Sequence, residues 1–296
     1  MPGRAIAIGK FDALHLGHRA LAERAAALGA PTLLGFAGMA GVLGWPARQP
    51  LVAASDRARV LGAWSARLGQ PITAIELPFA EVRPLTPREF VVLARDRCAA
   101  AALVVGDDFR FGRDRSGDAA ALCALGSELG LAVAVVPAVV LGGTAISSSR
   151  VRAAVERGDC AEAAACLGRP YRLVGAVVRG DGRGRSIGVP TANLGALENQ
   201  APAGGVYAAR AWLGGRSWPA AVNAGHVPTL AGARPFTVEA HLVGFAGDCY
   251  GARLELDLVA RLRDERRFAG VDELVAQIRR DIAAAVAAVP PAPSAG

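Results

Sequence analysis

The sequence predicts two domains: a doubly wound, mostly parallel α/β sheet first, then a small antiparallel β-barrel closed by a terminal helix. Its 296 residues are too many for one small domain and suit two. Over the first half, short apolar runs alternate with amphipathic segments of ten or more residues, the signature of strands joined by helical crossovers. From Gly168 the pattern changes to short β-branched runs split by glycine turns, with no helix between them. The expected domains are therefore 1–167 and 168–296.

Taken in order, Ala5–Gly9 reads as a strand, Gly17–Leu28 as a helix and Thr32–Phe36 as a second strand. Ser55–Leu68 follows as an amphipathic helix, with Ser55 expected at its N-cap. Ile72–Leu77, a helix over Thr86–Arg97, Ala102–Val105, a helix over Asp118–Leu129 and Leu131–Val136 continue the alternation. Two helices close this half, Ser148–Arg157 and Asp159–Leu167, the second capped by Asp159. The barrel strands are expected at Tyr171–Arg179, Gly205–Leu213, Trp218–Asn223, Phe236–Val243 and Arg253–Leu258, around turns such as Gly180-Asp181-Gly182. A helix over Val271–Ala287 ends the fold, and Pro290–Gly296 should fray.

The formal charge of +7 and pI near 9.8 raise the question of nucleic acid. Lys10 is the one lysine, however, and the arginines are scattered, the tightest cluster being interleaved with Asp264 and Glu265. A solvated surface, with arginine forks available for small phosphate ligands, is the better reading. No nucleic-acid partner is expected. Leu129–Leu141 is short and broken by Pro137, so no membrane partner is expected either. The start of the chain runs into a strand without a signal-peptide core, and the five cysteines lack C-x-x-C spacing. They read as small buried hydrophobes in a reducing, cytoplasmic setting.

Directly after the first strand stands Gly9-Lys10-Phe11-Asp12-Ala13-Leu14-His15-Leu16-Gly17-His18, which holds two of the four histidines. The C-terminal edge of a parallel sheet is where ligands bind. Gly17 would let the backbone approach a phosphate, and the helix that follows offers its N–H groups. His15 and His18 would donate hydrogen bonds to phosphate oxygens. A metal pair or ordinary polar loop residues are the alternatives. Further on, Ser147-Ser148-Ser149-Arg150-Val151-Arg152 opens a helix with hydroxyls and arginines, an anion site or simple N-capping. H-x-G-H after a first strand, joined to such a helix start, resembles the nucleotidyltransferase superfamily. Between them lies Gly106-Asp107-Asp108-Phe109-Arg110-Phe111-Gly112, a polar and aromatic loop on which a flat ring system would stack, or a turn with its own phenylalanine staple.

The second half has neither a Walker A pattern nor a G-x-G-x-x-G fingerprint. Instead Gly184–Gly188 leads through Val189 and Pro190 into Thr191-Ala192-Asn193, a glycine-rich flap suited to wrapping phosphates. The Thr191 hydroxyl and Asn193 carbonyl are hard oxygen ligands of the kind Mg²⁺ takes. Thr237–Leu242 reads as a strand with Glu239 and His241 on one face. A carboxylate there would serve as a base toward an alcohol, or would be an ordinary surface glutamate.

The runs Cys166–Tyr171, Gly188–Leu194, Gly205–Ala208, Asn223–Gly225, Glu239–Leu242, Gly247–Gly251 and Leu262–Phe268 closely resemble the riboflavin kinase domain. Taken with the first-half motifs, the whole chain resembles the prokaryotic bifunctional riboflavin kinase/FAD synthetases. That resemblance implies ATP-dependent phosphorylation of riboflavin to FMN in the C-terminal domain and adenylylation of FMN to FAD in the N-terminal one. It implies Mg²⁺ as cofactor, with riboflavin, FMN and ATP as small-molecule partners. Thr191 and Asn193, with Gly188 and Pro190 of the flap, would hold the Mg-nucleotide, and Glu239 would be the kinase base. His15, His18, Ser148, Ser149 and Arg152 would hold ATP in the other domain, with Gly9, Phe11, Asp12 and Gly17 shaping that pocket. Asp108, Phe109 and Phe111 would meet the flavin. The chain departs from the family pattern at Lys10, Ala13 and Ser149. It lacks the Phe-x-Pro-His-Pro segment, showing Phe36-Ala37-Gly38-Met39-Ala40 there, and has His226-Val227 before Pro228. A kinase with an impaired or repurposed N-terminal domain is therefore the alternative.

Overall fold

A computed structural model describes residues 3–180, 182, 184, 187–226 and 236–289. The expected fraying of Pro290–Gly296, and Asp181, Arg185, Ser186, Val227 and Pro228 of the motifs above, lie outside the described residues. The chain forms two compact units, Met1–Arg48 with Ser55–Ser148, and Gln49–Ala54 with Ser149–Gly296.

The first unit is built on strands β1 (Arg4–Ile8), β2 (Ala30–Ala37), β3 (Thr73–Pro78), β4 (Ala100–Gly106) and, after two short strands β5 (Arg110–Phe111) and β6 (Gly117–Asp118), β7 (Ala132–Val136). The five longer strands form one parallel sheet in the order β3-β2-β1-β4-β7. The chain winds outward from β1 to one side through β2 and β3, then crosses to β4 on the other. The strand order thus reverses beside β1, the place where open parallel sheets bind ligands. A two-stranded ribbon, β8 (Val140–Leu141) and β9 (Thr144–Ala145), completes the unit.

Its helices are α1 (Leu16–Ala26), α2 (Met39–Leu43), α3 (Arg57–Leu68), α4 (Phe79–Val82), α5 (Pro87–Asp96) and α6 (Ala119–Glu128). Local chemistry starts several of them. Thr86 and Glu89 close a reciprocal capping box on α5 with Pro87 in the first turn, and Asp118 caps α6 through the Ala121 N–H. The cap of α3 is Asp56, not Ser55, because the chain first makes a 3₁₀ turn over Ala54–Asp56. The Asp56 carboxylate binds Arg59 at 2.6 and 2.8 Å instead of a backbone N–H. Ile6, Leu34, Leu103 and Phe90 lie in the buried core between sheet and helices.

The second unit is a closed antiparallel barrel. Its strands are β10 (Tyr171–Val178), β11 (Ala192–Gly195), β12 (Gly205–Leu213), β13 (Arg216–His226), β14 (Phe236–Leu242) and β15 (Arg253–Arg263), in the order β10-β11-β14-β13-β12-β15. Strand β11 was read from the sequence only as flap; four residues bounded by Pro190-Thr191 and Gly195 give no periodic signal. Alternation along each strand sends Leu173, Tyr207, Val222, Val238 and Leu256 inward. Helix α7 (Ser148–Arg157) leads into α8 (Cys160–Leu167), which Asp159 caps through the Glu162 N–H as its position suggested. The terminal helix α9 (Val271–Ala288) carries Ala285, which together with Val289 packs against Ala208.

Residues 49–54 belong to this unit although they are distant in sequence. The buried Asn199 side chain holds them: its amide nitrogen faces the Leu51 carbonyl at 3.3 Å, the Arg172 carbonyl at 2.8 Å and the Tyr171 hydroxyl at 2.9 Å. Its oxygen accepts the Val174 N–H at 3.0 Å. Three cysteines, Cys98, Cys160 and Cys166, are buried as expected, but Cys123 is exposed on α6 and Cys249 is half-buried.

Candidate active sites

In the first unit, β1 runs into a tight, buried loop before α1. Phe11 and Leu14 both adopt left-handed backbone conformations, φ 48° and 47°, and both side chains are fully buried. Each costs about 1–2 kcal/mol against an ordinary conformation, which burial must offset. The Nη1 of Arg57 also holds the loop, donating to the Phe11 carbonyl at 2.9 Å. The loop delivers His15 to the N-cap position of α1, where its Nδ1 accepts the His18 N–H at 3.3 Å. With Nδ1 accepting, the hydrogen of a neutral His15 ring sits on Nε2, which is thereby left as a donor. The two imidazoles stack with centroids 3.7 Å apart, and Phe11 packs on His18 at 4.9 Å.

Gly17 has a role the sequence did not reveal. A Cβ there would stand 3.0 Å from Cε1 and 3.1 Å from Nδ1 of His15, so the missing side chain is room for the imidazole. Gly9 is similarly close to the Phe11 ring, 3.3 Å from where its Cβ would be. Asp12 is half-buried in the same loop. Lys10 lies outside this packing, its Nζ 4.7 Å over the half-exposed Trp45 ring, which follows the segment where the Pro-His-Pro pattern is absent.

At the end of β4, Asp108 is exposed and Phe109 half-buried. Phe109 stacks on Phe111 at 5.5 Å, and Phe111 is itself a core residue against Phe90. Of the two rings, Phe109 is therefore the one with surface left for a ligand. Ser148 is the first residue of α7 and the last of this unit, which puts Ser147 rather than Ser148 at the cap position. Ser149 and Arg152 continue α7 in the second unit. There Arg152 donates through Nη1 to the Gln49 carbonyl at 3.0 Å and to Oε1 of Gln200 at 2.7 Å, so it helps anchor residues 49–54.

In the second unit the register of three strands assembles the predicted set. Asn193 on β11 lies directly opposite Glu239 on β14, and Glu239 lies opposite Asn223 on β13. Directly paired antiparallel residues share a face. Ala192, Leu194, Val238 and Ala240 point inward and are buried, so Asn193 and Glu239 stand on the outer face, half-buried. Thr191 donates through Oγ1 to Oε2 of Glu239 at 3.4 Å. Two residues along β14, Nδ1 of His241 is 2.8 Å from the Pro190 carbonyl.

Two described glycines, Gly180 and Gly184, lie against this row. A Cβ on Gly180 would fall 2.4–2.7 Å from the Asn193 amide, and one on Gly184 would meet the Val189 carbonyl at 2.3 Å and the Thr191 side chain at 3.3 Å. Gly184 also accepts the Val189 N–H at 2.8 Å, closing the turn, while Gly188 turns with φ 77°. Three oxygen-bearing side chains, Thr191, Asn193 and Glu239, thus converge beneath a backbone that can approach phosphates closely. Such donors fit a Mg²⁺ ion, which takes few protein ligands and fills its sphere with water and phosphate oxygens. Among the described residues no cluster of three His, Cys, Asp or Glu has metal-binding geometry.

Two family models match: riboflavin kinase over residues 167–289 and FAD synthetase over residues 51–150. Among similar proteins is a bifunctional riboflavin kinase/FMN adenylyltransferase of Pseudomonas fluorescens, 37% identical over 96% of this chain and 92% of that one. The protein of the same name from Escherichia coli K12 is 37% identical over 94% and 90%. Among solved structures, a macrolide-efflux protein from Streptococcus pneumoniae is similar, with TM-score 0.83 and 28% identity over 97% and 95% of the two chains. No helix among the described residues here is long and apolar enough to cross a membrane.

Proposed function

The chain belongs to the bifunctional riboflavin kinase/FMN adenylyltransferase family, and we propose that it makes FMN from riboflavin on the outer face of the barrel and FAD from FMN at the β1–α1 junction. The observation that carries the kinase half is the placement of Glu239 opposite Asn193 and within hydrogen-bond reach of Thr191. The activities divide near residue 168, a division supported by the riboflavin kinase match starting at 167. The reading includes a cytoplasmic location, supported by ATP as co-substrate and by cysteines without paired spacing.

In the kinase step, Glu239 accepts the proton of the riboflavin 5′-hydroxyl as that oxygen attacks the γ-phosphorus of ATP. The bond from the γ-phosphorus to the bridging oxygen breaks, and ADP leaves. Thr191 and Asn193 hold the metal–nucleotide and orient its γ-phosphate toward the attacking oxygen. A Mg²⁺ ion bound by Thr191 and Asn193 would supply neutralisation of charge on the phosphate oxygens.

In the adenylyl step, an FMN phosphate oxygen attacks the α-phosphorus and pyrophosphate leaves. No proton need move. His15 donates from Nε2 and His18 lies stacked beside it, so both act by placing hydrogen-bond donors against charge that builds on phosphate oxygens. Ser148 belongs to this site in the same reading, and Phe109 with Asp108 contacts the flavin. No observation favours the narrower reading in which the first domain is repurposed.

Incubation with riboflavin, ATP and Mg²⁺, with the flavins separated over time, tests both halves. FMN should rise first and FAD follow. Persistence of riboflavin would refute the kinase assignment, and accumulation of FMN alone would refute the other.

A further inference from the structure

The chain enters β11 through Pro190, which has no N–H to give to a ladder. Regular pairing of β11 with β14 begins only at Ala192 opposite Ala240. The Pro190 carbonyl is nevertheless engaged, 2.8 Å from Nδ1 of His241. A carbonyl can only accept, so Nδ1 carries the hydrogen. Another side-chain tie between β14 and this segment is the longer one from Thr191 to Glu239, 3.4 Å. The Val189–Gly184 bond holds the flap to itself and not to the barrel.

These two ties differ in what turnover does to them. Thr191 must turn its hydroxyl toward the nucleotide, and that breaks its tie to Glu239. The His241–Pro190 bond takes part in neither event. It can persist throughout the reaction and fix the residue that precedes Thr191.

We propose that His241 is a positioning residue: it donates from Nδ1 to the Pro190 carbonyl and so holds Thr191 in place for the Mg-nucleotide once the Thr191–Glu239 contact opens. This rests on the kinase reading above. It also predicts a chemical preference at position 241. An asparagine amide nitrogen reaches about where Nδ1 stands, whereas the glutamine nitrogen extends toward the Nε2 position.

The experiment compares H241A, H241N and H241Q in the full chain, measuring KM for Mg-ATP and kcat for FMN formation. One lost hydrogen bond of ordinary strength should raise KM roughly 3–10-fold in H241A and H241Q, with kcat changed less than about twofold. H241N should return KM to within about twofold of the unsubstituted chain. Conversion of FMN to FAD reports in each case that the chain is folded. An unchanged KM in H241A, or H241N as impaired as H241A, would overturn the clamp while leaving the kinase reading intact. Absence of FMN from the unsubstituted chain would overturn that reading and the clamp with it.

Discussion

At the end of β1 the candidate groups are buried and locked, whereas on the outer face of β14 they are half-buried and bordered by glycines. His15 and His18 are stacked, capped and walled by Phe11, and the loop that carries them is strained and pinned by Arg57. Glu239 and Asn193 owe their positions to strand register, and Gly180 and Gly184 come close to Asn193 and Thr191. In the proposed reading both arrangements handle phosphate, but the chemistry they must do differs. Adenylyl transfer asks only for donors fixed in advance, and fixed donors tolerate burial. Phosphoryl transfer to an alcohol asks for a base that gains a proton, and a base needs room and a partner it can release. The same chain thus spends rigidity in one place and adaptability in the other.

The sharpest way to break this contrast is Glu239→Gln, which keeps shape and removes the base. FMN formation should fall about 10²–10⁴-fold while FMN-to-FAD conversion is unchanged, as read by separating the flavins. Equal loss of both in a folded variant would mean the sites are not distinct.

A matched pair of glycine substitutions sharpens it further. Gly17→Ala pushes a Cβ to 3.0 Å from the His15 ring, which is stacked on His18, and should slow FAD formation roughly 10–100-fold. Gly180→Ala places a Cβ within 2.4 Å of the Asn193 amide, a side-chain end that can swing aside. Its effect should fall on FMN formation alone and be smaller, about tenfold, with the melting temperature little moved.

Much of this was legible beforehand and some was not. The β1 motif declared itself because a strand, a glycine and two histidines follow one another in sequence. The facing of Glu239 and Asn193 is a matter of register between strands 46 positions apart (239 − 193), and no local pattern encodes it. Strand β11 was hidden by its brevity. Arg152 was read as a phosphate ligand from its place in a helix start. Its bonds to Gln49 and Gln200 depend on a segment about a hundred residues away. Phe111 stands beside Phe109 in the sequence as a candidate flavin contact or a staple, and its ring packs in the core. Motif chemistry is carried by neighbours in sequence, whereas burial is decided by whatever the chain brings back later.

Asn199 provides the stability counterpart. Asn199→Ala would leave the Val174 N–H and the Arg172 carbonyl without their buried partner, costing roughly 2–4 kcal/mol. Thermal unfolding should show the loss in the barrel transition, with FAD formation from FMN retained at low temperature.

The smallest expected effect is alkaline. Burial pushes the Cys160 thiol up to about 11 and the Tyr207 hydroxyl up to about 12, the latter also donating to the Ala203 carbonyl at 2.6 Å. A raised folded value means the unfolded chain loses its proton first. The contribution of Cys160 is therefore full below pH 9 and is lost as pH rises from about 9 to 11, with Tyr207 following from about 10 to 12. Denaturation midpoints measured across that range should fall, and Cys160→Ala should flatten the lower part of the decline.

The central claim is that two independent centres act in sequence within one chain, and mixing two crippled variants tests it most directly. Glu239→Gln and His18→Ala should each fail to convert riboflavin to FAD, the first stopping at riboflavin and the second at FMN. Combined in one tube with ATP and Mg²⁺, they should together produce FAD, because FMN released by the second is substrate for the first. A mixture of folded variants that yields no FAD would contradict the account.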